Sequence, residues 1–164
     1  MVLLEDTRQK PGQHKNIEAY CKQQGIEIVR HGLIVGDYML AGDPAEWNGW
    51  TGGFGKISAD TKESVAELAG NVFQEHERFR SECQRAQMLG IRLIVLVEEN
   101  LPGGRLDNWR SPLGRDGQPL YKFDPAILRK AMITMQEKYG VSFRFCDGRS
   151  TGKVLLEYLK GERE

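Results

Sequence analysis

The stretch Leu33-Ile34-Val35-Gly36-Asp37-Tyr38-Met39-Leu40 is an apolar run that contains a single carboxylate, and Lys56-Ile57-Ser58-Ala59-Asp60-Thr61-Lys62 places a second one further on. A carboxylate within an apolar strand is costly to bury unless it is paired or bound to a cation. Two carboxylates on neighbouring strands form an oxygen-rich site that suits Mg²⁺ or Mn²⁺. Lys62 shares the face of Asp60, because side chains alternate along a strand. The pattern therefore predicts a metal site suited to phosphodiester hydrolysis.

Length and composition indicate one soluble globular domain over residues 1–164. No stretch approaches the roughly 18 apolar residues of a membrane span, and no signal peptide is recognisable, so we expect a cytoplasmic protein, or one in the nucleoid or nucleus as the host requires. The single, widely spaced Cys21, Cys83 and Cys146 are typical of reduced core residues. The net charge of zero is unusual for a nucleic-acid-binding protein and counts against strong non-specific DNA binding, without excluding a nuclease.

Hydrophobic periodicity predicts an α/β fold, a mixed central β-sheet flanked by helices on both faces. The strands 26–30 and 33–41 are expected to form a hairpin, and a long helix over 64–89 is expected to break at Gly70-Asn71. Glycine-rich or proline-bearing loops are predicted at 42–55 and 98–122. The remaining predicted strands are 2–4, 56–61, 92–97 and 141–145, and the remaining helices are 13–24, 125–139 and 151–159.

Four short motifs in this sequence resemble those of the XPF-type nuclease domain, a branch of the PD-(D/E)XK restriction-endonuclease-like superfamily. Asp6-Thr7-Arg8-Gln9 is similar to the opening Asp-x-Arg-Glu, with Gln9 in place of glutamate, and Leu33 to Tyr38 is similar to hydrophobic-x-Val-Gly-Asp-Tyr. Asp60-Thr61-Lys62 stands where the family has Glu-Arg-Lys, and Arg78-Phe79-Arg80-Ser81-Glu82-Cys83-Gln84-Arg85 resembles the helix that follows. The resemblance spans residues 2–98 by motif, and the rest by topology.

This resemblance implies a restriction-endonuclease-like fold and a metal-dependent DNA endonuclease whose products carry 3′-hydroxyl and 5′-phosphate ends. It implies that Mg²⁺ or Mn²⁺ is bound by Asp37, Asp60 and the backbone carbonyl of Thr61. Lys62 would orient the attacking water or neutralise charge on the phosphate. Asp6 and Glu82 are candidate auxiliary acids, although Asp6 alternatively caps the turn before the first helix.

DNA is the expected partner, with a preference for branched or flapped forms. The resemblance places Arg8, Arg78 and Gln84 at the DNA. In the loop 98–122, basic residues surround an aromatic residue, a combination that suits backbone contacts and base stacking. The alternative for the loop arginines is a solvated surface role. Trp47 and Trp50 could stack on bases or equally cover an exposed sheet edge. The candidate DNA-binding residues of the loop are Arg105, Trp109, Arg110 and Arg115.

Other functions stay open at this stage. The chain could be a catalytically inactive module of nuclease fold that binds DNA or a partner protein, or a restriction-type or RNA-directed nuclease. Family habit suggests a homodimer. No helix-hairpin-helix module fits after the predicted domain, so a separate chain could supply DNA targeting.

Overall fold

The computed structural model describes residues 1–42 and 56–164. Apart from Gly42, the loop predicted at 42–55, including Trp47 and Trp50, lies outside the described residues. Within the described part, six strands form one mixed sheet in the order β2-β1-β3-β4-β5-β6. The strands are β1 (Val2–Glu5), β2 (Glu27–Arg30), β3 (Tyr38–Ala41), β4 (Ile57–Lys62), β5 (Arg92–Val97) and β6 (Ser142–Phe145).

Helices cover both faces of this sheet, which confirms the predicted fold class. They are α1 (Lys15–Gln23), α2 (Val65–Phe73), α3 (His76–Met88), α4 (Pro125–Tyr139) and α5 (Thr151–Leu159). The alternation of side chains along β5 divides the core into two layers. Leu93 and Val95 pack into the layer that contains residues of α2, α3 and α4. Ile94 and Leu96 pack into the layer formed with α1 and α5.

The predicted hairpin of strands 26–30 and 33–41 is wrong. β2 pairs in parallel with β1, and β3 pairs antiparallel with the other side of β1. The residues between β2 and β3 must therefore pass the end of β1, and regular extended structure resumes only at Tyr38. Gly36 has a φ of 71°, a left-handed conformation that interrupts an extended strand. Asp37 thus lies in the turn immediately before β3 rather than within a strand.

The expected helix break at Gly70-Asn71 is also wrong, since Gly70 lies within α2. The chain leaves the helix at Gln74 and Glu75, whose amides both donate to the Gly70 carbonyl at 2.8 and 3.0 Å. The predicted boundaries of α4, which has a recognisable cap at each end, agree with the structure. Asp124 accepts a hydrogen bond from the Ala126 amide at 2.8 Å, and α4 ends at Gly140.

The loop 98–122 contains only two short 3₁₀ turns, Pro102–Gly104 and Leu106–Asn108, and an isolated bridge between Leu113 and Pro119. The three cysteines are free and buried, as predicted. None of the helices in the described ranges combines the length and apolar character needed to cross a membrane.

Candidate active site

A cleft of about 280 Å³ lies where the ends of β1, β3 and β4 meet. β3 and β4 are antiparallel neighbours, with Tyr38 opposite Ala59, so Asp37 comes close to Asp60 and Thr61. The cleft is lined by eight of the residues predicted for the site, namely Asp6, Arg8, Asp37, Asp60, Thr61, Lys62, Arg78 and Glu82. The sheet topology therefore brings together residues that are separated by long stretches of sequence.

Asp60 is a buried carboxylate with one free oxygen. Its side chain accepts a hydrogen bond from Lys62 Nζ at 2.9 Å through Oδ1, whereas buried Oδ2 has no hydrogen-bond partner among the described residues. Burial and the neighbouring charge of Asp37 raise the pKa of Asp60 well above its ordinary value, and Lys62 offsets this only in part. A cation beside Oδ2 would satisfy the orphaned oxygen and favour the ionised carboxylate.

Lys62 stays close to Asp60 in a buried position. Burial lowers the pKa of Lys62, but the attraction of Asp60 and Asp37 outweighs this cost and leaves the pKa above its ordinary value. The ammonium group is therefore retained as a fixed positive charge beside the two carboxylates. It lines the cleft, where it can also approach an anionic substrate.

Asp37 is held by the neighbouring strand. Its Oδ2 accepts hydrogen bonds from the Thr61 amide at 2.8 Å and the Thr61 hydroxyl at 3.0 Å. Its own amide donates to the Ala59 carbonyl at 2.7 Å. The N–H and C=O of one strand residue point to the same side, so the Thr61 carbonyl faces Asp37 as its amide does. Asp37, Asp60 and Thr61 thus line the same cleft.

This donor set fits a hard divalent cation. Residues 1–42 and 56–164 contain no group of three or more His, Cys, Asp or Glu side chains arranged to hold a metal ion. Mg²⁺ is commonly bound through one or two carboxylates and keeps several waters, so it does not require such a group. Asp60 with its unpartnered oxygen, Asp37 and the Thr61 carbonyl match this usual coordination of Mg²⁺.

Asp6 and Arg8 order the turn that leads to Asp37. Asp6 is buried, accepts a hydrogen bond from the Leu33 amide at 3.0 Å through Oδ1, and pairs with Arg8. Arg8 also donates to the Leu33 carbonyl at 3.0 Å. The Asp6 carboxylate therefore accepts a hydrogen bond from the backbone of the segment 33–37. The turn before α1 is closed by the Asp6 backbone carbonyl, which accepts from the Gln9 amide at 3.1 Å, and not by the side chain. Both side chains line the cleft.

One face of α3 forms the opposite wall. Glu82 Oε1 accepts a hydrogen bond from the Gly36 amide at 2.8 Å, which fixes the turn before Asp37. Arg78 is highly exposed and forms an ion pair with Glu75 at 4.0 Å. Arg85, which the sequence analysis missed, donates to the Ile34 carbonyl at 2.7 Å and lines the cleft. Its spacing from Arg78 and Glu82, seven and three residues, places all three on one helix face and could have identified it.

His14 was assigned no role from the sequence, yet its ring contacts the site residue Thr61. Nδ1 lies 3.0 Å from Glu98 Oε1, and Nε2 lies 3.3 Å from Thr61 Oγ1. Burial lowers the pKa of His14, but Glu98, Asp37 and Glu63 together raise it above the ordinary value. No local sequence signal reveals this role, because Glu98 is 84 residues away along the chain.

The other predicted DNA-binding residues lie away from the cleft. Gln84, Arg105, Arg110 and Arg115 are exposed, and none of them is among the residues that line the cleft in the described structure. Arg110 donates to the carbonyls of Asp107 and Trp109 at 2.9 and 2.8 Å. Their assignment to DNA binding stays a prediction.

Trp109 requires a correction. Its side chain is only 4% exposed, its ring stacks on Phe123 with 4.9 Å between centroids, and Nε1 donates to Glu99 at 2.6 Å. A buried ring offers no free face to a nucleic-acid base. Trp109 is buried because the loop 98–122 folds back onto the apolar core. It is therefore removed from the candidate DNA-binding residues.

The side chains that line the cleft carry more negative than positive charge. Six carboxylates (Asp6, Asp37, Asp60, Glu67, Glu75 and Glu82) face four cationic groups (Arg8, Lys62, Arg78 and Arg85). A phosphate group would be repelled by this balance unless a bound cation changed its sign. The charge distribution therefore favours a site that works with a metal ion.

Comparisons with known proteins agree with the fold described above. The model of the ERCC4 domain family matches residues 6–158. The chain is similar to the solved structure of XPF from Aeropyrum pernix, with 16% identity and a TM-score of 0.62 over 99% of this chain and 65% of that one. It is also similar to XPF from Aeropyrum pernix in complex with DNA, with 18% identity and a TM-score of 0.61 over 98% of this chain and 64% of that one. It thus spans about 65% of the length of those structures. No curated protein sequence matches the chain.

Proposed function

Since this chain belongs to the ERCC4 domain family, we propose that it is a metal-dependent endonuclease that hydrolyses phosphodiester bonds in DNA. The observation that carries the proposal is the buried Asp60 carboxylate, whose Oδ2 has no hydrogen-bond partner among the described residues and which lies beside Asp37 and Lys62. The likeness to an XPF structure in complex with DNA supports DNA as the substrate. The typical use of divalent metal ions by nucleases of this family also supports Mg²⁺ or Mn²⁺ as the cofactor.

In this proposal Asp37, Asp60 and the Thr61 carbonyl hold the cation. A bound Mg²⁺ or Mn²⁺ supplies Lewis-acid polarisation of a phosphoryl oxygen and lowers the pKa of a bound water. Lys62 neutralises the negative charge that develops on the phosphoryl oxygens during attack, and it does so from a fixed position because Asp60 holds its ammonium group. Arg8, Arg78 and Arg85 lie on the walls of the cleft, where they bind neighbouring phosphates.

Branched or flapped DNA is the proposed preferred substrate, and cleavage is proposed to leave a 5′-phosphate. A homodimer or a separate DNA-targeting chain would supply additional DNA contacts. The exposed arginines of the loop 98–122 lie outside the cleft and would reach DNA only beyond the scissile bond. These finer features rest on the family, and the comparison of linear, flapped and four-way DNA tests the substrate preference among them.

The test is cleavage of end-labelled linear, flapped and four-way DNA with Mg²⁺ or Mn²⁺. Asp37→Asn and Lys62→Met are each expected to reduce the cleavage rate by at least about 100-fold, because each removes a group that acts on the reacting phosphate or its metal. The matched controls are Asp116→Asn and Lys130→Met, exposed residues outside the cleft that should cleave as the wild type does.

Two results would contradict the proposal. Cleavage that survives in Asp37→Asn would remove the carboxylate from the reaction. Wild-type protein that binds DNA and cuts none of the three substrates with either metal would make the chain a non-catalytic DNA-binding module of the same fold.

A further inference from the structure

A chain of hydrogen-bonded polar side chains leads to Asp37, and its two central members, His14 and Thr61, are buried. His14 is 6% exposed and immediately precedes α1, and Glu98 follows β5. The His14 ring bridges the two elements, with Glu98 Oε1 3.0 Å from Nδ1 and Thr61 Oγ1 3.3 Å from Nε2. Thr61 Oγ1 is in turn 3.0 Å from Asp37 Oδ2. Four residues from four parts of the chain therefore form one continuous path.

The direction of each hydrogen bond follows from the donors available. An ionised carboxylate only accepts, so the single hydroxyl proton of Thr61 is donated to Asp37. The Thr61 oxygen must then accept from His14, which places a proton on Nε2. At the other end of the ring, one proton lies between Nδ1 and Glu98, because a carboxylate and an unprotonated nitrogen would repel each other. The ring orientation and the hydroxyl rotamer are thus fixed together.

We propose that Glu98, His14 and Thr61 form a hydrogen-bond chain that orients the Asp37 carboxylate, with His14 as its central positioning residue. The proposal rests on the proposed function in so far as Asp37 binds the metal. A ligand carboxylate that is hydrogen-bonded by fixed neighbours loses less rotational freedom when the ion binds, and such neighbours tune the affinity of metal sites. His14 and Glu98 are not among the residues that line the cleft in the described structure, so they can act on Asp37 through Thr61 without touching the substrate.

The residue types Glu, His and Thr also occur in sites of nucleophilic catalysis, but the geometry here excludes that role for Thr61. A nucleophilic hydroxyl must give its proton to the histidine. Here the proton points to Asp37 instead, and Thr61 is 5% exposed. Tyr38 packs edge-on against the imidazole, with 6.0 Å between ring centroids, and further limits its movement. The hydrogen-bond chain is therefore suited to holding the Asp37 carboxylate in position and not to moving a proton to the substrate.

The test measures Mn²⁺ affinity by electron paramagnetic resonance, in the absence of DNA. His14→Phe and Thr61→Val should each weaken Mn²⁺ binding by about tenfold, in the range found for residues that support metal ligands. The double variant should be no weaker than the weaker single variant, because both substitutions interrupt one chain. Thr61→Ser keeps the hydroxyl and should bind Mn²⁺ within twofold of the wild type.

His76→Phe provides the matched control, since His76 is exposed at the start of α3, and it should leave Mn²⁺ affinity unchanged. Circular dichroism checks that each variant is folded. If His14→Phe fails to fold, the comparison of Thr61→Val with Thr61→Ser decides alone. The proposal is overturned if Asp37→Asn abolishes binding while Thr61→Val binds Mn²⁺ as tightly as Thr61→Ser, or if the effects of His14→Phe and Thr61→Val simply multiply.

A second readout requires no metal. The ¹⁵N resonances of the His14 ring should show a protonated Nε2 with a slowly exchanging proton in the wild type and in Thr61→Ser, and fast exchange in Thr61→Val. An unprotonated Nε2 in the wild type would overturn the hydrogen-bond chain. If the wild type binds no Mn²⁺ at all, the proposed nuclease site fails, and the resonance measurement still decides whether the chain exists.

Discussion

Asp60 shows how one side chain can indicate the need for a cation. Its carboxylate is 3% exposed, is paired with Lys62 through one oxygen, and has no partner for the other among the described residues. A carboxylate buried in this way must gain a proton or a cation. The sequence already placed Asp60 and Lys62 on one face of the strand, since the two residues are two positions apart. The free oxygen was not, because it depends on which side chains approach from other elements.

Gly36 is the residue on which the turn before Asp37 depends most. It has a φ of 71°, and an added Cβ would lie 2.2 Å from Ser58 Oγ and 2.8 Å from the Ala59 carbonyl oxygen. Gly36→Ala should therefore lower the free energy of unfolding by about 1–2 kcal/mol for the left-handed backbone and by about 1–3 kcal/mol more for overpacking against β4. Urea denaturation followed by circular dichroism measures the loss.

Gly90→Ala is the control for this substitution. Gly90 has a similar φ of 66°, but nothing lies within 4 Å of an added Cβ. It should show the backbone cost alone and keep Mn²⁺ affinity, whereas Gly36→Ala should weaken Mn²⁺ binding as well. Equal losses of stability in the two variants would contradict the close approach of Gly36 to β4.

At the scale of elements, local signals predicted what local chemistry determines. The Asp124-Pro125 start and the Gly140 end of α4 were readable because caps and left-handed glycines act within a few residues. The pairing of β2 was not. A short connection between two apolar runs suggests a hairpin, but β1 lies between β2 and β3 in the sheet and pairs with both. Strand order depends on contacts between distant residues, which periodicity does not report.

The loop 98–122 gives a prediction that separates packing from DNA binding. Trp109 stacks on Phe123 and donates to Glu99, so Trp109→Ala should lower the free energy of unfolding by about 3–5 kcal/mol, the usual cost of removing a large buried aromatic side chain. The measurement is urea denaturation, paired with a DNA-binding titration under folding conditions.

Leu113→Ala serves as the control from the same loop, because Leu113 is 65% exposed and should change stability by no more than about 0.5 kcal/mol. The placement of Trp109 in the core would be wrong if Trp109→Ala were as stable as Leu113→Ala and instead weakened DNA binding.

At the scale of the whole molecule, the sheet order explains why the site exists. β3 lies between β1 and β4, so Asp6 after β1, Asp37 before β3 and Asp60 in β4 meet in one cleft. Asp37 and Asp60 could be proposed from the sequence because each is a carboxylate in an apolar segment, whereas Asp6 was proposed from the resemblance to the family's opening motif. The contacts of Arg85 with Ile34 and of His14 with Thr61 span 51 and 47 residues, so only the folded chain reveals them. Neutral net charge was uninformative because the relevant balance is local to the cleft.

The central claim is that Asp37 and Asp60 hold a divalent cation together. The most direct test is a crystal structure of the protein grown with Mn²⁺, with diffraction data collected where manganese scatters anomalously. The account predicts one strong anomalous peak within coordination distance of Asp37 and Asp60 carboxylate oxygens and of the Thr61 carbonyl, absent in Asp37→Asn crystals grown in the same way. A fully ordered cleft with no peak at these oxygens, or a peak that persists in Asp37→Asn, would contradict it.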